Sequence, residues 1–160
     1  MSIKKIYISF FLIFILIIFF SIYKYQNSKN SLKISKPIVL NLITSVHPKL
    51  SWNFNAVKKK VLIKPGEVTS IDYIVENLEN INTSGIATFA YYPKEFGSYI
   101  SKLNCFCYDA QNLEAKQKSK YSVVLLIDPE VTKDSKTKNI KEVTIQFTFF
   151  DYKDYKKNES

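Results

Sequence analysis

The chain has 160 residues, 46% of them hydrophobic and 15% aromatic, a composition that excludes an intrinsically disordered chain and suits one domain of ordinary size. Its formal net charge is +9, yet every basic residue is lysine and none is arginine. The lysines are spread in pairs and triplets such as Lys58-Lys59-Lys60, so they read as solvated surface and not as a nucleic-acid face, which draws on arginine for bidentate contacts.

The first predicted element is a transmembrane helix over residues 6–23, "IYISFFLIFILIIFFSIY", which carries no charge. As a helix it spans about 27 Å, close to the thickness of a hydrocarbon core. Apolar residues cover all its faces, so it has no stripe to turn toward water. A cleaved signal peptide would end in small residues, whereas this segment ends in the bulky "FFSIYKY". Residues 6–23 therefore read as a single uncleaved anchor behind a short N-terminus, 1–5. Lysines flank both ends, so charge does not orient it. Residues 24–37, including "KYQNSKNSLKISK", are polar and read as a linker.

From residue 38 to residue 152 the pattern is that of strands. "PIVLNLITSV" opens the series, and Trp52 and Phe54 alternate so that both face a core. "KKVLIKPGE" is closed by Pro65-Gly66, a strong turn signal. In "VTSIDYIVEN" the set Thr69, Ile71, Tyr73, Val75 faces inward. "GIATFAYYP" and "YSVVLLIDP" follow, the latter ended by a turn at Asp128-Pro129. The last run, "EVTIQFTFFDY", puts Val143, Ile145, Phe147 and Phe149 on one face. Short strands spaced near ten residues predict a mainly β, immunoglobulin-like sandwich, with no convincing helix after Pro37. Residues 153–160 read as a charged, frayed tail.

Catalytic signatures are lacking. One histidine, His47, sits in a turn with no nucleophile beside it, and three scattered glycines form no phosphate loop. The expectation is a binding protein, not an enzyme.

The chemistry concentrates in "SKLNCFCYDAQ", which holds both cysteines, Cys105 and Cys107. On a strand, residues i and i+2 share a face with Cα atoms roughly 6.5–7 Å apart, at or beyond the limit for an unstrained disulfide. The spacing converges two sulfurs on one side and leaves Phe106 to pack on the other. Paired thiolates are soft ligands that favour Cu(I). Two other readings stand beside a metal site: two buried core thiols, and a redox pair that Lys102 would assist slightly.

Several blocks, in order, resemble the CtaG family of copper chaperones for cytochrome c oxidase assembly. "SWNFNAVKKKVLIKPGE" is similar to the family's Trp-x-Phe segment followed by Pro65, Gly66 and Glu67. Tyr73 and Asn77 fall where the family has a Tyr and an Asn. "YISKLNCFCYDAQNL" resembles its most specific signature, a Cys-Phe-Cys followed by a glutamine, here Gln111. "LLIDP" and "VTIQFTFF" resemble its closing segments. The resemblance implies an immunoglobulin-like domain on the periplasmic side of a bacterial inner membrane, held by one transmembrane helix. It implies Cu(I) bound by Cys105 and Cys107, shared across a homodimer, and delivered to the copper B centre of oxidase subunit I. Two departures both remove sulfur. Asn27 stands near a family cysteine, and Tyr121-Ser122 stands where the family has Met-Pro. A thiol-redox protein and a metal-free assembly scaffold are the alternative roles.

Overall fold

The structure is a computed structural model that describes residues 12–25 and 36–159. The chain divides into two compact units, Met1–Ser35 and Lys36–Ser160.

In the first unit, residues 12–25 form a helix, α1, whose side chains are exposed, Leu16, Phe19 and Phe20 among them. It runs two residues past the expected end of the anchor at Tyr23. The expected first turn and a half, residues 6–11, lies outside the described residues, as does Asn27. Among the described residues no helix is long and apolar enough to cross a membrane.

The second unit is built from nine strands in two sheets. They are β1 (Ile38–Val46), β2 (Trp52–Ala56), β3 (Lys60–Ile63), β4 (Val68–Asn77), β5 (Thr83–Tyr92), β6 (Ile100–Cys105), β7 (Gln111–Leu113), β8 (Lys118–Ile127) and β9 (Glu142–Asp151). One sheet has the order β3-β1-β9-β5-β7 and the other β2-β4-β8-β6. All pairings are antiparallel except β1 with β9, where Leu40 lies beside Val143 and Leu42 beside Ile145.

The sheets face one another because alternate residues of their central strands are apolar. On β4, Ile71, Tyr73 and Val75 are buried, and on β9 Val143, Ile145, Phe147 and Phe149 are buried. The β9 set matches the inward face expected from period-two alternation, and the β4 set does so from Ile71 onward, Thr69 being only half-buried. Aromatic rings join the two layers. Phe149 meets Trp52 at 5.1 Å and Phe54 at 4.9 Å, and Phe147 meets Tyr73 at 5.4 Å between ring centroids. Such edge-on contacts add about 0.5–1.5 kcal/mol each beyond burial. Close packing is helped at Gly85, where a Cβ would lie 2.9 Å from both Leu50 Cδ2 and Trp52 Cζ3.

The expected turns form. Gly66 has φ 88°, a conformation side chains rarely adopt, and its N–H donates to the Ile127 carbonyl at 2.8 Å. Asp128 caps a short 3-10 turn, Pro129–Thr132, by accepting from the Glu130 N–H at 2.9 Å. Asn77 is fully buried at the end of β4. Its amide donates to the carbonyls of Ile81 and Glu114, and its Oδ1 accepts from the Glu79 N–H, so it ties the β4–β5 loop to the β7–β8 loop.

Two expectations need correction. The segment after β9 is not frayed: Tyr152–Glu159 is a helix, α2. Asp151 accepts from the Asp154 N–H at 3.1 Å at its start, and Lys49 reaches Asp154 at 2.8 Å from the β1–β2 turn. A partner 105 residues away in sequence gives no local signal. Nor is the stretch after Pro37 without helical structure before that: besides the turn Pro129–Thr132, a 3-10 turn at Lys94–Tyr99 buries Phe96 between β5 and β6.

Candidate functional site

The two cysteines lie where the chain leaves one sheet for the other. β6 is the outer strand of its sheet and β7 the outer strand of the other, so residues 106–110 cross the open side of the sandwich. β6 reaches that point through an irregularity between Lys102 and Asn104, which leaves Leu103 exposed.

Here the expected strand geometry fails. The extended conformation ends at Cys105, and the chain turns so that the Tyr108 N–H donates to the Cys105 carbonyl at 3.3 Å. The Cα atoms of Cys105 and Cys107 are therefore 5.0 Å apart, and their sulfurs are joined in a disulfide. A turn shortens the i to i+2 distance that a strand would stretch, which removes the geometric objection to the bridge.

Phe106 fixes this turn to the core. Its ring is buried and lies 5.0 Å from Phe147, 5.5 Å from Tyr73, 5.6 Å from Tyr121 and 5.8 Å from Phe149. Cys105 is buried beside it, while Cys107 is half-buried. Gln111, the glutamine of the signature, closes the turn from behind. Its Nε2 donates to the carbonyls of Phe106 at 2.9 Å and Asp109 at 3.1 Å.

Lys102 completes the site. Its Nζ lies 3.7 Å from Cys107 Sγ, 4.6 Å from the centre of the Phe89 ring and 5.4 Å from that of Tyr108. The Tyr108 hydroxyl donates to the Lys102 carbonyl at 2.7 Å. Burial pulls the Lys102 ammonium below its ordinary pKa. The Cys105 sulfur accepts from the Cys107 N–H at 3.2 Å.

Of the residues singled out from sequence, Cys105, Cys107, Lys102, Gln111 and Tyr121 come together. Tyr121 is half-buried, stacked on Phe106, and stands two residues along β8 from Val123, the cross-strand partner of Cys105. His47 does not join them: it follows β1 and stacks on Phe150 at 5.4 Å. Among the described residues no group of three or more His, Cys, Asp and Glu side chains could hold a metal. Sequence reasoning missed the clamping role of Gln111 and the place of Tyr108, because both depend on the turn and not on periodicity.

The family model for "Cytochrome c oxidase assembly protein CtaG/Cox11" matches residues 19–151. The chain belongs to that family. Curated relatives named "Cytochrome c oxidase assembly protein CtaG" agree with the assignment. The one from Rhizobium etli is 34% identical over 121 residues, covering 76% of this chain and 60% of the relative. That of Ehrlichia ruminantium (strain Gardel) is 35% identical over 117 residues, 73% of this chain and 66% of the relative. That of Brucella anthropi is 36% identical over 101 residues, 63% of this chain and 50% of the relative. The chain thus matches between half and two-thirds of the length of these relatives. Among solved structures, the PapD-like domain 7 of human CEP192 is 14% identical with a TM-score of 0.31, covering 73% of this chain and 84% of that one.

Proposed function

We propose that this oxidase assembly protein is a membrane-anchored copper chaperone. Cys105 and Cys107, once reduced, take up Cu(I) and pass it to the copper B centre of cytochrome c oxidase subunit I. The observation that supports this reading is the sulfur pair itself, held on a turn that Phe106 and Gln111 fix at the open side of the sandwich. Two soft thiolates match Cu(I), and two protein ligands leave the ion under-coordinated and so transferable. The mainly β domain belongs, on this reading, to the immunoglobulin-like class. Residues 6–23 anchor it in the inner membrane with the domain on the periplasmic side, and copper held between two such turns bridges a homodimer.

The disulfide must open first. An external dithiol supplies two electrons and two protons: its thiolate attacks one sulfur, the other leaves as a thiolate, and the second thiol of the reductant resolves the mixed disulfide. The products are an oxidised reductant and the free Cys105 and Cys107 thiols. Their protons are displaced when the metal binds. The existence of the bridge also favours a second reading, a thiol-redox protein whose function is that cycle alone.

The test uses the full chain in detergent, reduced, under anaerobic conditions and offered excess Cu(I). The expected outcome is one copper per chain and a mass, by light scattering, of two chains. Cys105→Ser and Cys107→Ser should each lose most of the copper, because a hydroxyl is a hard ligand, and with it the dimer. A parent chain that stays copper-free and monomeric would sink the chaperone reading. Reversible oxidation without copper uptake would point to the redox role.

A further inference from the structure

We infer that Lys102 is the ionic partner of the loaded site, offsetting the charge of the copper–dithiolate unit. The inference rests on the copper reading above. Two thiolates and one Cu(I) carry a net charge of −1, and they would form on a turn whose neighbouring rings are buried. An anion there needs a counter-charge, since low-dielectric surroundings offer little screening.

Lys102 is already in place. Its ammonium nitrogen lies 3.7 Å from Cys107 Sγ, within reach of an N–H···S contact. Among the described residues Lys49, Lys64, Lys120 and Lys133 pair with carboxylates, but Lys102 pairs with none. The aromatic faces of Phe89 and Tyr108 hold it instead, and rings stabilise a cation without neutralising it. Its backbone is pinned as well, by the Tyr108 hydroxyl on its carbonyl. A lysine stem laid against rings beside a sulfur, with its charge unspent, suits a site that becomes negative only when loaded. The contact falls on Cys107, the less buried of the two cysteines, so the ammonium would steady the thiolate of the residue nearer to solvent.

The experiment is a Cu(I) competition titration of the full chain against a chromophoric chelator, with thermal melting in parallel. Lys102→Gln should weaken Cu(I) binding about tenfold, the equivalent of ~1.4 kcal/mol. Lys102→Glu should weaken it further, and Lys102→Arg should stay within about threefold of the parent, because charge and ring stacking survive. Melting temperatures of the metal-free Gln and Arg variants should agree. Equal affinities for the parent, Gln and Glu forms would overturn the inference. So would an Arg variant as weak as the Gln one, which would mean that the lysine stem matters and its charge does not. A parent chain that binds no Cu(I) would overturn the copper reading, and this inference with it.

Discussion

Tyr73 is the residue whose environment asks most of the fold. It is fully buried, and its hydroxyl is the buried side-chain polar atom without a hydrogen-bond partner among the described residues. Burial drives its phenol pKa upward, because the interior disfavours the anion. Its ring earns its place through Phe54, Phe106 and Phe147, all within 5.5 Å between centroids. Tyr73→Phe keeps those rings and removes the orphan oxygen, so it should stabilise the chain by about 1 kcal/mol, read as a higher urea midpoint. The native pKa is raised, so the phenol's contribution is complete below the unfolded value near 10 and is lost as pH rises above it. The parent should therefore weaken at alkaline pH more than the Phe variant. An unchanged urea midpoint at neutral pH would mean that the hydroxyl is satisfied.

The neighbouring Tyr121 offers a test with opposed signs. Its ring stacks on Phe106 under the cysteine turn, where the family resemblance expects a methionine. Tyr121→Met places a soft thioether beneath the sulfur pair and removes a stacked ring. Cu(I) binding should tighten while the metal-free melting temperature falls. Tighter binding without thermal loss would show that the ring contributes no packing, and looser binding would place the thioether out of reach.

At the scale of elements, the strands were legible where burial is one-sided. β4 and β9 alternate cleanly because each presents one face to the other sheet, so sequence parity alone separates Phe147 from Thr148. Phe147→Ala removes a ring that touches Phe89, Phe106 and Tyr73 and should cost roughly 3–5 kcal/mol. Thr148, half-buried on the other face, should tolerate Ala within about 1 kcal/mol, a contrast that denaturant midpoints can resolve. The candidate site was legible as residue types but not as geometry. The local pattern supports β6 and gives no sign that it stops at Cys105. The stop depends on the Cys105–Tyr108 turn, on Gln111 behind it and on Phe106 plugging the space between sheets, and none of these has a period. β7, three residues long, exists only because β5 lies beside it. α2 was missed for the same reason, its tie being to Lys49 on a distant turn.

For the whole molecule, three aspartates tie separate parts of the domain and all respond to acid in the same direction. Asp72 accepts from Lys120 and Ser122 across β4 and β8, and those hydrogen bonds hold its carboxyl below the usual range. The Tyr99 hydroxyl donates to Asp134 at 2.6 Å and lowers it likewise, joining the start of β6 to the loop before β9. Lys49 lowers Asp154 and joins α2 to the β1–β2 turn. Each native carboxyl binds its proton less readily than the unfolded chain does, so the unfolded state takes up more protons as pH falls. The stabilisation is complete above the unfolded value near 4 and is lost as pH drops through the depressed native values. Global charge acts the same way. The chain carries +9 at neutrality, and protonating its 14 acidic residues adds to that self-repulsion. The melting temperature should therefore be nearly flat from about pH 8 to 5 and fall steeply below about pH 4. Added salt should recover part of the loss by screening the net charge, since the Debye length shrinks to about 3 Å at 1 M. Tyr99→Phe should shallow the acid fall, because Asp134 loses the donor that lowers it. A melting temperature indifferent to pH between about 5 and 2 would show that these three ties hold no more tightly in the folded chain than in the unfolded one.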